Sequence, residues 1–163
     1  MVWLAMFLSL FALAAHLASK NEAEKHGDMV AARRWETSVF YRDDELIGWL
    51  TSGAPSLSGY ARVLAPYDFA LLVSLGAALA AVSLAASELL HFPAEGRWVL
   101  ALSPLAFSLS DFMEDRLLLR LIAAGRATPA EILGLKRATL MKFVTLGAAA
   151  SQTFVLLLWI VVA

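Results

Sequence analysis

Hydrophobic positions run in long blocks along this chain. Residues 2–19, 69–90, 98 to about 116 and 143–162 each approach the roughly 20 residues that a helix needs to cross a bilayer core. The longest polar stretch, residues 20–65, separates the first block from the second. The pattern predicts an all-α fold, a four-transmembrane-helix bundle in one membrane domain of residues 1–163. Its helices are expected at 2–19, 66–90, 97–124 and 129–162, the last crossing the membrane with 143–162. Residues 20–65 form a cytoplasmic loop between helices one and two, and helices three and four form a long hairpin.

Local signals refine these boundaries. Helix one continues through Asn21-Glu22-Ala23-Glu24-Lys25, with Gly27 as a stop. Asp43 or Asp44 is placed to cap a short helix carrying Leu46, Ile47, Trp49 and Leu50. Its apolar face suits the bilayer surface or the cytoplasmic mouth of the bundle, and an interfacial anchor is preferred here over a lid. Gly53-Ala54-Pro55-Ser56 and Ser58-Gly59 should break the chain before helix two starts near Pro66. Gly76, Ala80, Ser83 and Ser87 recur at three- or four-residue spacing, a stripe that lets neighbouring helices approach and makes helix two central. His91-Phe92-Pro93 ends it. In helix three, Pro104 should kink the helix or free a carbonyl. Gly125 closes that helix, and Thr128-Pro129-Ala130-Glu131 opens helix four with an N-cap, a first-position proline and a capping-box glutamate. A helix from 129 to 162 would be about 50 Å long at ~1.5 Å per residue, so helices three and four should project beyond a ~30 Å core.

Charge fixes an orientation for this topology. Residues 20–67 and 116–142 carry six Lys or Arg each, whereas the remaining segments offer only Arg97. Positive-inside bias puts both basic segments in the cytoplasm and both termini outside, in the bacterial inner (plasma) membrane. The first block also has signal-peptide character at Ala12-Leu13-Ala14, but its basic residues follow the apolar run, which favours an uncleaved anchor. With 60% hydrophobic and 17% charged residues and a mean hydropathy of +0.70, the composition is that of a membrane protein. A net charge of −1 gives no reason to expect nucleic acid as a partner, and the absence of cysteine excludes disulfides and thiolate metal sites.

Asp111, Glu114 and Asp115 interrupt the third block. At about 100° per residue they share one helix face, with Arg116 and Arg120 nearly opposite, so the helix does not neutralise its own acids by i,i+3 or i,i+4 pairing. The arginines can snorkel to headgroups. Asp111 and Lys142 lie equally far from a hairpin turn centred near residues 126 and 127, so antiparallel helices bring them to one level. Glu114 and Asp115 fall near Thr139 and Ala138, with Arg137 within reach. Lys142, Thr145 and Gln152 share a polar stripe that could carry the acidic face inward.

Three readings follow for these ligand or proton-site candidates. A buried ion-pair network holding the hairpin in register is favoured. A protonatable pathway through Asp111 is the second. The third is a metal site joining His16 to Asp111 and Asp115, with a single histidine behind it. A bis-histidine haem is excluded because His16 and His91 fall at opposite membrane boundaries. No phosphate-cradling loop, nucleophile motif or zinc-protease pattern occurs.

Tyr41-Arg42-Asp43-Asp44-Glu45 before a short helix, Tyr60 and Asp68 leading into the second span, Asp111-x-x-Glu114-Asp115 in the third and Lys142 entering the fourth form a pattern. From about Phe40 onward it resembles a loose group of small, uncharacterised bacterial four-helix integral membrane proteins. The stretch 53–59 departs from the regular helix that this resemblance implies, and the resemblance implies architecture without an activity. The expected function is therefore that of a non-catalytic accessory or assembly subunit, or of a lipid or small-ligand binder at an acidic cytoplasmic mouth. A small proton-coupled transporter or a metal-dependent intramembrane enzyme is the alternative. No cofactor is expected. The expected partners are the lipid bilayer and either further copies of the chain or a larger membrane complex, because four spans without an internal repeat are few for a self-contained transporter.

Overall fold

Alanine and leucine, both strong helix formers, are the commonest residues in the chain, and every regular element among the described residues is a helix. The computed structural model describes residues 2–25, 35, 37–53 and 55–162. In chain order the helices are α1 (Val2–Lys25), α2 (Asp43–Thr51), α3 (Pro55–Val63), α4 (Phe69–Leu89), the short α5 (Ala94–Arg97), α6 (Leu102–Ala124) and α7 (Pro129–Val162). Stretches within Val2–Glu22, Leu57–Leu89 and Pro129–Val162 are long and apolar enough to cross a membrane. The block at 98–116 does not join them on composition, because α6 carries Asp111, Glu114, Asp115, Arg116 and Arg120.

The second helix starts well before Pro66. Residues 55–89 are helical throughout, as α3, a π-helical turn at Leu64–Asp68, and α4. A proline inside a helix removes one donor and crowds the carbonyl four residues earlier. Widening the ladder to a π-turn around Pro66 accommodates that loss without ending the helix. Gly53, at φ +61°, makes the break that was expected across residues 53–59; Ser58 and Gly59 sit inside α3. The predicted stop at Gly27 lies outside the described residues.

α4 packs against α1 on one side and against α6 and α7 on the other. Its small residues permit this: a Cβ on Gly76 would lie 1.8 Å from Ser108 Oγ and 3.3 Å from the Pro104 carbonyl oxygen on α6. α4 ends where His91 takes a left-handed conformation (φ 57°) and the Phe92 amide donates to the Ser87 carbonyl over 3.0 Å. α6 ends in the same manner at Gly125, φ 60°. α7 then opens with the predicted capping box: the Thr128 amide donates to Glu131 Oε2 at 2.9 Å, and the Glu131 amide to Thr128 Oγ1 at 3.3 Å. The Thr128 amide, and then the Thr128 hydroxyl donating to the same Oε2 at 2.8 Å, hold the Glu131 carboxyl below its usual range.

Pro104 falls in the first turn of α6, after a 3-10 segment, Trp98–Ala101, and frees a carbonyl there. In a regular helix the amide of residue 104 would bond the Leu100 carbonyl, and proline has none to give. Gln152 of α7 takes its place, donating through Nε2 to the Leu100 oxygen at 2.6 Å. The same amide group donates to Ser83 Oγ at 3.3 Å and accepts from Ser103 Oγ at 3.0 Å, and Ser83 lies 3.1 Å from Thr153. One glutamine thus ties three helices.

Near the hairpin turn, Trp35, Tyr41, Leu46, Leu50 and Tyr60 form a continuous core with Leu118, Leu121, Ile132 and Leu135 of α6 and α7. Leu46 is fully buried there, so α2 turns its apolar face onto the hairpin and not onto a bilayer surface, against the expectation of an interfacial anchor. The helix starts at Asp43, one residue earlier than a cap at Asp43 implies and two earlier than a cap at Asp44. Arg42 is its N-cap, and the Arg42 amide donates to Glu45 Oε2 at 3.4 Å.

The Gln152 knot predicts a coupling. Gln152→Leu should cost about 1–2 kcal/mol in detergent, the scale of interhelical hydrogen bonds between membrane helices. In a Pro104→Ala background the same change should cost less, because residue 104 regains its amide. Equal losses in both backgrounds, measured by thermal unfolding, would contradict the assignment.

Candidate functional site

Asp111, Glu114 and Asp115 lie on the inward face of α6, exposed by only 8, 0 and 4%. That inward face follows from their spacing, since residues three and four apart share one side of a helix. Across the hairpin, Lys142 Nζ lies 3.0 Å from Asp111 Oδ1 and contacts Glu114 Oε2 as well. The Thr139 hydroxyl, one turn nearer the hairpin turn, donates to Glu114 Oε1. The result is a lysine gripping two carboxylates from one helix, beneath a threonine that fixes the central one.

The remaining sequence candidates separate. Arg137 is exposed, because it lies on the opposite side of α7 from Thr139, and it forms no ion pair with the acids among the described residues. Thr145 donates to its own backbone, at Met141 O over 2.7 Å, and does not extend the acidic face. Gln152 belongs to the separate knot with Leu100, Ser83 and Ser103, so the expected polar stripe splits into two clusters. His16 is exposed on α1, lining a cleft with Leu71, Leu75 and Ala78 of α4, and it does not join the acids. α1 meets α4 and not the hairpin face where the acids sit, which removes the histidine from that donor set.

Without His16, the carboxylates still offer oxygens within 4.8 Å of one another. An all-oxygen set of this kind suits a hard cation such as magnesium, calcium or manganese. Lys142 already places its ammonium on two of the three, so an inorganic cation would have to share or displace it.

One residue that feels the charge of Glu114, Tyr41, was not legible as such. Tyr41 packs edge-on against Trp35 at 4.9 Å, and Lys136 Nζ lies 4.7 Å over the Tyr41 ring while pairing with Asp43 Oδ1 at 2.7 Å. The Tyr41 hydroxyl is buried without a hydrogen-bond partner among the described residues. Burial, and then the negative charges of Glu114 and Asp43, push its pKa up to about 12, so it stays protonated and able to donate at any physiological pH. Tyr41 lies in an extended stretch outside the helices, where no periodicity signals which way a side chain points.

Comparison with protein-family models, curated proteins and solved structures gives no match for this chain. The functional reading rests on the residues themselves.

The geometry sets an order of stabilities. Lys142→Met strands two buried carboxylates and should cost roughly 3–5 kcal/mol, the range for a broken buried pair. Adding Asp111→Asn and Glu114→Gln removes the stranded charges, so the triple variant should recover much of that loss. Unfolding in detergent measures all of these, and a triple variant no more stable than Lys142→Met would refute the bridging role.

Proposed function

We propose that this chain is a four-helix integral membrane protein without catalytic activity of its own, acting as an accessory or assembly subunit of a larger membrane complex. The observation that carries the fourth span is the sidedness of α6. Its acids face Lys142 and Thr139, while Leu102, Leu105, Leu109 and Met113, each about 60% exposed, form an apolar outer face. A helix of unfavourable overall composition can cross a bilayer when its charges are turned inward and paired. The exposed apolar faces of α1 and α7, with Trp3 at 82% and Phe154 at 66%, suit the same lipid surroundings.

The accessory role follows from what the acids are doing. Asp111 and Glu114 are engaged by the lysine that spans the hairpin, an arrangement that fixes helix register. In the orientation favoured by the basic segments, the hairpin turn and the aromatic core around Trp35 and Tyr41 face the cytoplasm and both termini lie outside. A second reading, a cation or proton site at the acids, is supported by three buried carboxylates gathered within 4.8 Å of one another.

Two measurements test these statements. The chain has no cysteine, so Thr51→Cys, Ala94→Cys and Arg126→Cys, all exposed positions, can be labelled singly in intact cells with an impermeant thiol reagent. Labelling of Ala94→Cys alone is expected; labelling of the other two alone inverts the topology. Purification in mild detergent should yield a larger complex that persists in Asp115→Asn. A chain that purifies alone and loses its effect in the host with that substitution would favour the cation or proton reading.

A further inference from the structure

The exposed faces of α6 and α7 change character at one level. On α6 the apolar outer face ends at Met113 and is followed by Arg116 and Arg120, both exposed. On α7 the exposed run that includes Leu140, Met141 and Val144 is preceded by Arg137, also exposed. Asp111 with Lys142 and Glu114 with Thr139 are each equidistant from the hairpin turn, and so are residues 116 and 137. The register that joins the acids to Lys142 therefore sets Arg116 and Arg137 at one height, on two helices, where the apolar surface stops. Toward the turn from there, the exposed side chains are mostly polar or small, Leu133 excepted.

Arg116 is also braced. Its guanidinium lies 5.4 Å over the Phe112 ring, and Phe112 stacks edge-on against Phe69 of α4 at 5.8 Å. A guanidinium held on an aromatic face keeps its N–H edge free to fork onto phosphate oxygens.

We infer that Arg116 and Arg137 form a belt at headgroup level that binds the phosphates of anionic phospholipids in the leaflet nearest the hairpin turn. The belt rests on the membrane reading above and adds to it a ligand class and a depth. The acids then sit just inside the edge of the hydrocarbon, and the aromatic core around Trp35 and Tyr41 sits outside it. Anionic lipid would thus hold the hairpin at a fixed depth through its outer arginines, while Lys142 holds it together from within.

The test uses the full chain purified in neutral detergent, with phosphatidylglycerol or phosphatidylcholine added at equal mole fraction. Phosphatidylglycerol should raise the melting temperature of the native chain by several degrees more than phosphatidylcholine. Arg116→Gln with Arg137→Gln should abolish that difference, the corresponding pair of lysine substitutions should retain part of it, and Arg126→Gln, nearer the turn, should leave it intact. Equal effects of the two lipids, a glutamine double variant that keeps the difference, or the same gain from inorganic phosphate would each overturn the belt. The membrane reading is tested apart from it: recovery of the native chain in the soluble fraction after carbonate extraction would overturn that reading whatever the arginines do.

Discussion

Lys142 holds the acidic face of α6 against α7, and the rest of the hairpin depends on that contact. Asp111, Glu114 and Asp115 are an expensive set of groups to bury on one helix face. Gathered without a cation they would repel one another and pull α6 toward water. The ammonium between Asp111 and Glu114, with Thr139 on the second oxygen of Glu114, turns that liability into a fixed register. Once the register is set, Leu118 and Leu135 come to lie one turn beyond the acids and can bury fully with Leu46. The aromatic core near the turn is built on that platform.

The other end of the hairpin solves a different problem by similar means. Pro104 removes a backbone donor from the Leu100 carbonyl, and Gln152 returns one. Ser83 and Thr153 extend the repair to α4, so the central helix is tied at this level by hydrogen bonds and further along by the close approach at Gly76. α1 meets α4 along apolar and small side chains and leaves a cleft of about 450 Å³ between its first half, α4 and the end of α7. In a bilayer such an apolar cleft would be a natural seat for acyl chains.

Much of this was legible in the sequence because it depends on helical periodicity. The shared face of Asp111, Glu114 and Asp115 follows from their spacing. The level of Lys142 follows from counting outward from a turn marked by Gly125 and the capping box at Thr128. Other features depend on tertiary context that spacing does not carry. A proline normally starts or breaks a helix, and the π-turn that carries Pro66 through residues 64–68 has no signature of its own. Ser58-Gly59 reads as a break, yet sits in a helix whose neighbours Leu57, Tyr60 and Val63 are buried against the hairpin. The polar residues of α7 share one stripe on a helical wheel. Only the partners opposite them separate Lys142, which meets carboxylates, from Gln152, which meets a carbonyl.

The bridging lysine, the core near the turn and the level of the arginines all follow from the register of α6 on α7. Disulfide trapping in this cysteine-free chain tests it directly. Leu118→Cys with Leu135→Cys places two thiols at one level within the shared core and should cross-link under mild oxidation. Leu118→Cys with Thr139→Cys, one helical turn out of step, should not. Preferential cross-linking of that second pair would show the hairpin slipped by a turn and would contradict the account.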